Sequence, residues 1–297
     1  MRAVIRAIEY ALPEKIVTNE DLVAEFPDWT VEKIEQKTGI TQRPIADENQ
    51  CSSDLGVAAA EKLFATGVCL SSDIDYLLFC TQSPDYYLPA TACVMQDRLG
   101  LPKSCGAIDF NQGCSGYVYG LGLAKGLIES GQATNVLLIT AETYSKFINP
   151  GDKSVRTLFG DAGAATLIQA EEGHSEYLGP FVYGTDGRGA KNLIVPQGGL
   201  RSRIGRNSPE IVEDDNGNQR TSENLYMNGS EVFTFSLLTV PKSVNDLLKK
   251  ADMKQEDVDL FVFHQANKFM LESLRKKVKI PEEKFILSYE HIGNTVS

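Results

Sequence analysis

The sequence predicts an α/β protein built from two similar halves, with sheets buried between helical layers. Three observations carry this. Short, continuously apolar runs alternate with amphipathic helical stretches, the pattern of strands covered on both faces. One such run, Asp73-Ile74-Asp75-Tyr76-Leu77-Leu78-Phe79, returns as Asp257-Val258-Asp259-Leu260-Phe261-Val262-Phe263. What surrounds the two runs agrees in order and spacing, which favours duplication over chance.

The elements follow in order. A strand is expected over Ala3 to Tyr10, then an amphipathic helix over Ser53 to Ala65. The acidic turn and its strand come next. A helix from Ala92 to Leu101 stops at Leu101-Pro102, and a strand from Ala107 to Phe110 runs into Gly113-Cys114. The second half repeats the series. Its strand covers Glu176 to Tyr183, and its helix covers Glu231 to Lys250. Phe233, Leu237, Val240, Val244, Leu247 and Leu248 supply much of that helix's apolar face. After Leu260 to Phe263 come a helix from Met270 to Ile280, stopped by Pro281, and a strand from Phe285 to Ser288 that leads to Gly293-Asn294. The halves divide as 1–172 and 173–297. The polar stretch Gly198 to Asn224 is expected to be a long loop without elements of its own.

Composition narrows the function. With 297 residues and 42% hydrophobic content, the chain can bury a large core. A formal net charge of -11 argues against nucleic acid or anionic membrane as partners of the overall field. Met1-Arg2 runs straight into a strand with no cleavage site, and no apolar run approaches the roughly 18 residues of a membrane span. A soluble cytoplasmic protein is the expectation. The six cysteines form no CxxC pair and no metal-type spacing with the three histidines, so reduced thiols and no metal are expected.

Cys114 stands in Asn111-Gln112-Gly113-Cys114-Ser115-Gly116, between a strand and a helix whose face carries Tyr117, Val118, Leu121, Ala124, Leu127 and Ile128. Glycines on both sides permit a tight turn that sets the thiol at a helix N-terminus. There the dipole and free amides favour a thiolate, and an amide could stabilise an oxyanion. A buried structural cysteine is the competing reading. His264 follows the strand Leu260 to Phe263, where functional groups emerge from α/β sheets. Alone it would read as a structural histidine. Asn294 holds the repeat position of Cys114 and alone would be a turn asparagine. If the halves face each other about a pseudo-twofold axis, the three meet as nucleophile, proton-handling group and amide donor. That set suits acyl-thioester chemistry.

At this point the sequence resembles a known family. Its landmarks are Leu12-Pro13-Glu14, Val17-Thr18-Asn19, Lys37-Thr38-Gly39-Ile40, Gly113-Cys114-Ser115-Gly116 and Phe159-Gly160-Asp161-Ala162-Gly163-Ala164-Ala165. Gly229-Ser230-Glu231-Val232-Phe233, His264-Gln265-Ala266-Asn267 and Gly293-Asn294-Thr295 follow. Over essentially the whole chain they are similar to β-ketoacyl-acyl carrier protein synthase III. The resemblance implies a thiolase-like five-layered α/β/α/β/α sandwich and a homodimer. It implies catalysis by Cys114, His264 and Asn294, with no cofactor beyond acyl-CoA or acyl carrier protein thioesters. It also implies substrate contacts at Met227, Gly229, Phe233 and Asn267. A final helix and glycine-rich strand-loop of the family are expected to be missing after Ser297.

The chain departs from the family's pattern on the side that holds adenine. Lys33 replaces a stacking tryptophan, and Trp29 lies four residues upstream, on the same face if both are helical. Lys37 keeps its place in the Thr-Gly motif. Lys153 replaces an arginine, whose planar stacking it cannot reproduce. CoA is therefore weakened as donor. Leu88 stands where some relatives carry a phenylalanine that caps the partner's acyl pocket. Arg275, Lys276 and Lys277 are the expected docking patch for an acidic acyl carrier protein. The expected reaction is condensation of an acyl thioester with a malonyl thioester through acyl-Cys114. Two alternatives stay open here. One is a non-decarboxylative acyltransferase of a specialised-metabolite or surface-glycan pathway. The other is a non-catalytic protein that binds acyl carriers.

Overall fold

The computed structural model describes residues 1–205 and 209–297. Strand β1 (Arg2–Ala11) leads to a small antiparallel ribbon, β2 (Ile16–Thr18) with β3 (Gln42–Pro44). The ribbon brackets helices α1 (Asn19–Glu25) and α2 (Val31–Thr38). Thr18 and Thr30 cap the two helices through their side chains. Next come α3 (Ser52–Ala65), β4 (Tyr76–Cys80), α4 (Thr91–Arg98), β5 (Gly106–Phe110) and α5 (Gly116–Glu129). The half closes with β6 (Asn135–Glu142), α6 (Lys153–Arg156) and β7 (Ala162–Glu171).

One sheet in the order β1-β7-β6-β4-β5 organises these elements. Strand β4 is parallel to β5 and β6, whereas β7 is antiparallel to β6 and β1. Period-two alternation splits the apolar residues between two cores. Leu77 and Phe79 face Leu55, Ala59 and Leu63 of α3. Leu78 and Leu138 face Leu121, Ala124 and Ile128 of α5. Burying each large aliphatic side chain there contributes about 1.5–3 kcal/mol. Val118 was expected on the same face of α5 but is 46% exposed. The register sets Cys80 beside both Phe110 and Thr140, so three parallel strands end together. Their continuations carry Gln82, Cys114 and Glu142 to one edge, the place where α/β sheets present functional groups.

The second half holds β8 (Leu193–Ile194), β9 (Val212–Glu213), β10 (Gln219–Arg220), β11 (Tyr226–Met227), α7 (Gly229–Lys250) and α8 (Lys268–Val278). The repeated acidic turns match in detail. Both are single 3-10 turns, and in each the Asp carboxylate accepts a backbone N–H three residues upstream. Leu70 donates to Asp73 at 2.9 Å and Lys254 donates to Asp257 at 2.9 Å. On α7, Phe233, Leu237, Val240, Val244 and Leu248 are half-buried, but Leu247 is exposed.

Three expectations need correction. Residues 176–183 form no strand: Pro180 has no N–H for a ladder, and Gly179 turns the chain with φ +112°. The segments 260–263 and 285–288 meet in a single parallel bridge, Phe261 with Phe285. The first is not covered on both faces, since Phe261 is 7% exposed and Val262 72%. Only the Phe261 side packs, against Ile40, Leu271 and Ile280. Finally, the stretch 198–224 contains a hairpin, β9 with β10. Arg220 ties it down through Asp152 and Asp214, both at 2.9 Å. Residues 206–208 of that stretch lie outside the described residues.

Candidate active site

Strand β5 ends at Phe110, and after five intervening residues α5 begins at Gly116. Ser115 is the N-cap residue but makes no side-chain capping bond, which leaves first-turn amides open to Cys114. The flanking glycines close the tight turn expected of them, Gly116 N donating to Gly113 O at 2.7 Å, and they also leave room for close neighbours. Neither Gly113 nor Gly116 has a positive φ. Both are needed for close approach. A Cβ on Gly113 would lie 2.8 Å from Gln82 Oε1, and one on Gly116 would lie 2.4 Å from Cys80 Sγ.

Cys114 is exposed to solvent, with protein packed densely around it. That burial pushes the thiol up. His264 outweighs it, as a neighbouring cation and as a hydrogen-bond partner, so the thiol lies below its ordinary value. His264 shows the reciprocal balance. Burial pulls the imidazole down, the Cys114 thiolate pulls it up, and the net shift is upward. The turn that holds His264 is pinned by Gln265. Its Nε2 donates to the carbonyls of Phe263 (2.8 Å) and Ile286 (3.2 Å), and its Oε1 accepts from Ser288 N (2.7 Å).

Asn294 is 6% exposed and paired with Phe159 by a parallel bridge. Its backbone N–H donates to Leu158 O at 2.8 Å, and its carbonyl accepts from Gly160 N at 3.0 Å. The side-chain Oδ1 accepts from Val296 N at 2.9 Å, which orients the carboxamide. Among the described residues, Nδ2 donates to no protein group. From Asn294 the chain reaches Ser297, whose Oγ is 3.9 Å from Cys80 Sγ, beside the start of α5.

Burial pushes the other inner thiols the opposite way, Cys80 up to about 12 and Cys105 up to about 11, with Cys51 and Cys69 also raised. Limiting iodoacetamide at neutral pH is therefore expected to alkylate Cys114 first, ahead of the exposed Cys93 on α4. Peptide mapping that finds Cys93 labelled first, with Cys114 intact, would contradict the thiolate assignment.

The sequence reading missed three groups at this edge. Glu142 ends β6 wholly buried. Burial pushes its carboxyl up to about 8, against hydrogen bonds from Gln82 N, Ser83 and Thr81 that hold it down. Gln82 lies between Glu142 and the Cys114 loop. Tyr144 is 5% exposed, and its phenol is raised by burial and then by the charges of Glu142 and Cys114. The signal was present, since Glu142 follows the largely apolar run Val136 to Ala141 much as His264 follows Leu260 to Phe263.

The remaining candidates are scattered. Trp29 precedes the N-cap of α2, so it is not helical, yet the ammonium groups of Lys33 and Lys37 each lie 5.0 Å from its ring centre. Lys153 is buried, bonded to Asp28 at 2.9 Å and 5.9 Å from the Phe26 ring centre. Leu88 is 82% exposed. Met227 packs beside Tyr144, Phe159 and Val296. Gly229 opens α7, and Phe233 stacks on Phe269 at 4.9 Å. Asn267 caps α8, its Oδ1 accepting from Met270 N at 2.9 Å. Arg275, Lys276 and Lys277 occupy the last turn of α8, at the far end from Asn267. Arg275 is engaged with Glu282 at 3.6 Å, whereas Lys276 and Lys277 are exposed.

Comparison with known proteins agrees with this architecture. The family model described as 3-oxoacyl-[acyl-carrier-protein (ACP)] synthase III matches residues 108–187, and the model of its C-terminal part matches residues 248–297. A β-ketoacyl-[acyl-carrier-protein] synthase III of Caldanaerobacter subterraneus subsp. tengcongensis is 38% identical over 285 residues, 96% of this chain and 82% of the relative. A 3-oxoacyl-(acyl-carrier-protein) synthase III crystal structure is 55% identical with a TM-score of 0.99, covering 100% of this chain and 88% of that one. The 3-oxoacyl-(acyl-carrier protein) synthase of Burkholderia xenovorans LB400 is 38% identical with a TM-score of 0.89, covering 100% of this chain and 82% of that one. The thiolase-like α/β class expected from the sequence therefore holds, and the chain belongs to the β-ketoacyl-[acyl-carrier-protein] synthase III family.

Proposed function

We propose that this chain condenses an acyl thioester with a malonyl thioester on acyl carrier protein, with loss of carbon dioxide, through an acyl group held on Cys114. The observation that carries the reading is the placement of Cys114 at the N-terminus of α5 beside His264, which holds the thiol below its ordinary value. The Cys114 thiolate attacks the acyl thioester carbonyl and the carrier thiol leaves. Acylation removes the negative charge that raised His264, so burial then favours a neutral imidazole. The malonyl thioester enters next. Its carbon–carboxylate bond breaks, carbon dioxide leaves, and the electron pair forms an enolate. His264 and Asn294 Nδ2 donate hydrogen bonds to that oxygen. The carbanion attacks the acyl-Cys114 carbonyl and expels the thiolate, which closes the cycle. The thiol, imidazole and carboxamide do this with no further cofactor. Carbon dioxide released in step with β-ketoacyl product tests the reading. A transferase that acylates an amine or alcohol would release none.

The substrate-facing surface extends the proposal. Trp29, Lys33, Lys37 and Lys153 form a basic, aromatic edge suited to a phosphorylated carrier arm, and the family resemblance adds Met227, Gly229, Phe233 and Asn267 as substrate contacts. Lys276 and Lys277, with Arg275 behind them, dock the acidic carrier despite the net charge of -11. Reversing all three charges is expected to raise KM for the carrier-bound substrate and spare a small thioester mimic. Equal effects on both substrates would exclude the patch. The working unit is a cytoplasmic homodimer. Among the described residues strand β5 pairs only with β4, Ile108 on it is 40% exposed, and Tyr86, Tyr87 and Leu88 are exposed too. An unpaired apolar edge of this kind is a template for a second copy.

A further inference from the structure

The buried polar network under the Cys114 loop is not used by the reaction proposed above. Glu142, wholly buried at the end of β6, accepts Gln82 N at 2.7 Å, Ser83 Oγ at 2.8 Å and Thr81 Oγ1 at 3.4 Å. No lysine or arginine pairs with it among the described residues. A buried carboxyl is costly to keep unless its hydrogen bonds are satisfied, and these bonds join the ends of β4 and β6. The Gln82 side chain then spans the gap to the nucleophile. Its Nε2 donates to Asn111 Oδ1 at 3.1 Å, and its Oε1 accepts from Tyr144 OH at 2.6 Å. The same Oε1 occupies the space a side chain on Gly113 would need, one residue before Cys114.

We propose that Gln82, anchored by Glu142, is a positioning residue that fixes the loop 111–114 and so aims the Cys114 sulfur at the incoming thioester. The inference rests on the acyl-Cys114 reading. Gln82 touches neither the thiol nor the proton of His264. It holds Asn111 and Gly113 from one side while Tyr144 holds Gln82 from the other. Its loss would leave the thiolate formed but misdirected. An error of about 1 Å in the attack geometry lowers a rate by up to roughly a hundredfold. Gly113 is required on this view because Gln82 must pass directly beneath it.

The test is single-turnover acylation at saturating acyl thioester, followed by mass spectrometry, beside iodoacetamide alkylation across pH and thermal unfolding. Gln82→Met keeps the volume under Gly113 and removes both side-chain hydrogen bonds. It is expected to acylate roughly ten- to a hundredfold more slowly. The pH midpoint of Cys114 alkylation should stay at the native value, as should KM for the thioester. Tyr144→Phe should show a smaller loss in the same direction. The double variant should be no slower than Gln82→Met, since both act through one contact. Glu142→Ala orphans Gln82 N and should lose as much, and the isosteric Glu142→Gln, which keeps that acceptor, should recover most of it. Acylation of Gln82→Met within twofold of native would overturn the proposal. So would a loss accompanied by a shifted alkylation midpoint, which would make Gln82 a determinant of the thiolate instead. Failure of the native protein to acylate at Cys114 would instead overturn the reading on which the inference rests.

Discussion

Asn294→Ala is expected to form acyl-Cys114 at close to the native rate and yet to release carbon dioxide from malonyl thioester roughly a hundredfold or more slowly. The division follows from what each half-reaction needs. Acylation requires a thiolate, which on the proposed reading His264 sustains, and an oxyanion stabiliser, for which the open amides at the start of α5 are the candidates. Decarboxylation requires donors aimed at a different carbonyl. On the proposed reading the Asn294 carboxamide serves that use. Val296 N fixes its Oδ1 at 2.9 Å, and a parallel bridge to Phe159 holds its backbone, so its Nδ2 is preorganised. A preorganised donor to a developing oxyanion is worth roughly 3 kcal/mol, which corresponds to about a hundredfold in rate. Rapid-quench mass spectrometry reads the first step, and labelled carbon dioxide reads the second. Normal decarboxylation by Asn294→Ala would remove Asn294 from the chemistry.

His264→Ala is expected to impair both steps. Decarboxylation should fall about as far as in Asn294→Ala, because an equivalent donor is lost. Acylation should also slow, because the cation that holds the thiol down is gone. The sign is fixed by the causes. Burial alone raises the Cys114 thiol, and His264 is what reverses it. Without His264, the pH at which iodoacetamide reacts half-maximally should move upward, toward and past that of an ordinary thiol. The Asn294→Ala/His264→Ala pair should not multiply its losses, since both donors serve one developing charge. An unshifted alkylation profile in His264→Ala would mean that the thiolate owes nothing to the histidine.

Much of this site was legible in the sequence, for physical reasons. Cys114 stood out because a strand, two glycines and an amphipathic helix surround it. His264 and Asn294 gained meaning only through the repeat, whose acidic turns recur as matching 3-10 turns at Asp73 and Asp257. Gln82 and Glu142 were missed because their importance comes from the parallel register of β4, β5 and β6, which no local pattern encodes. Gly113 makes the tight turn expected of it, and its second role, leaving room for the Gln82 side chain, escapes the sequence for the same reason. The strand expected over 176–183 from its place in the repeat does not form, because a ladder needs the N–H that Pro180 lacks. The continuously apolar run 260–263 implies burial on both faces. Its exposure alternates, because only the side toward Leu271 and Ile280 finds a partner.

The most direct test is a two-stage single turnover on the native protein. Acyl thioester is added alone, the adduct is mapped, and malonyl thioester on acyl carrier protein is then supplied. The expected result is one acyl group on Cys114 and on no other cysteine. Its disappearance should then match, mole for mole, the carbon dioxide released and the β-ketoacyl thioester formed. An adduct on another residue, or one discharged without carbon dioxide, would contradict condensation through acyl-Cys114.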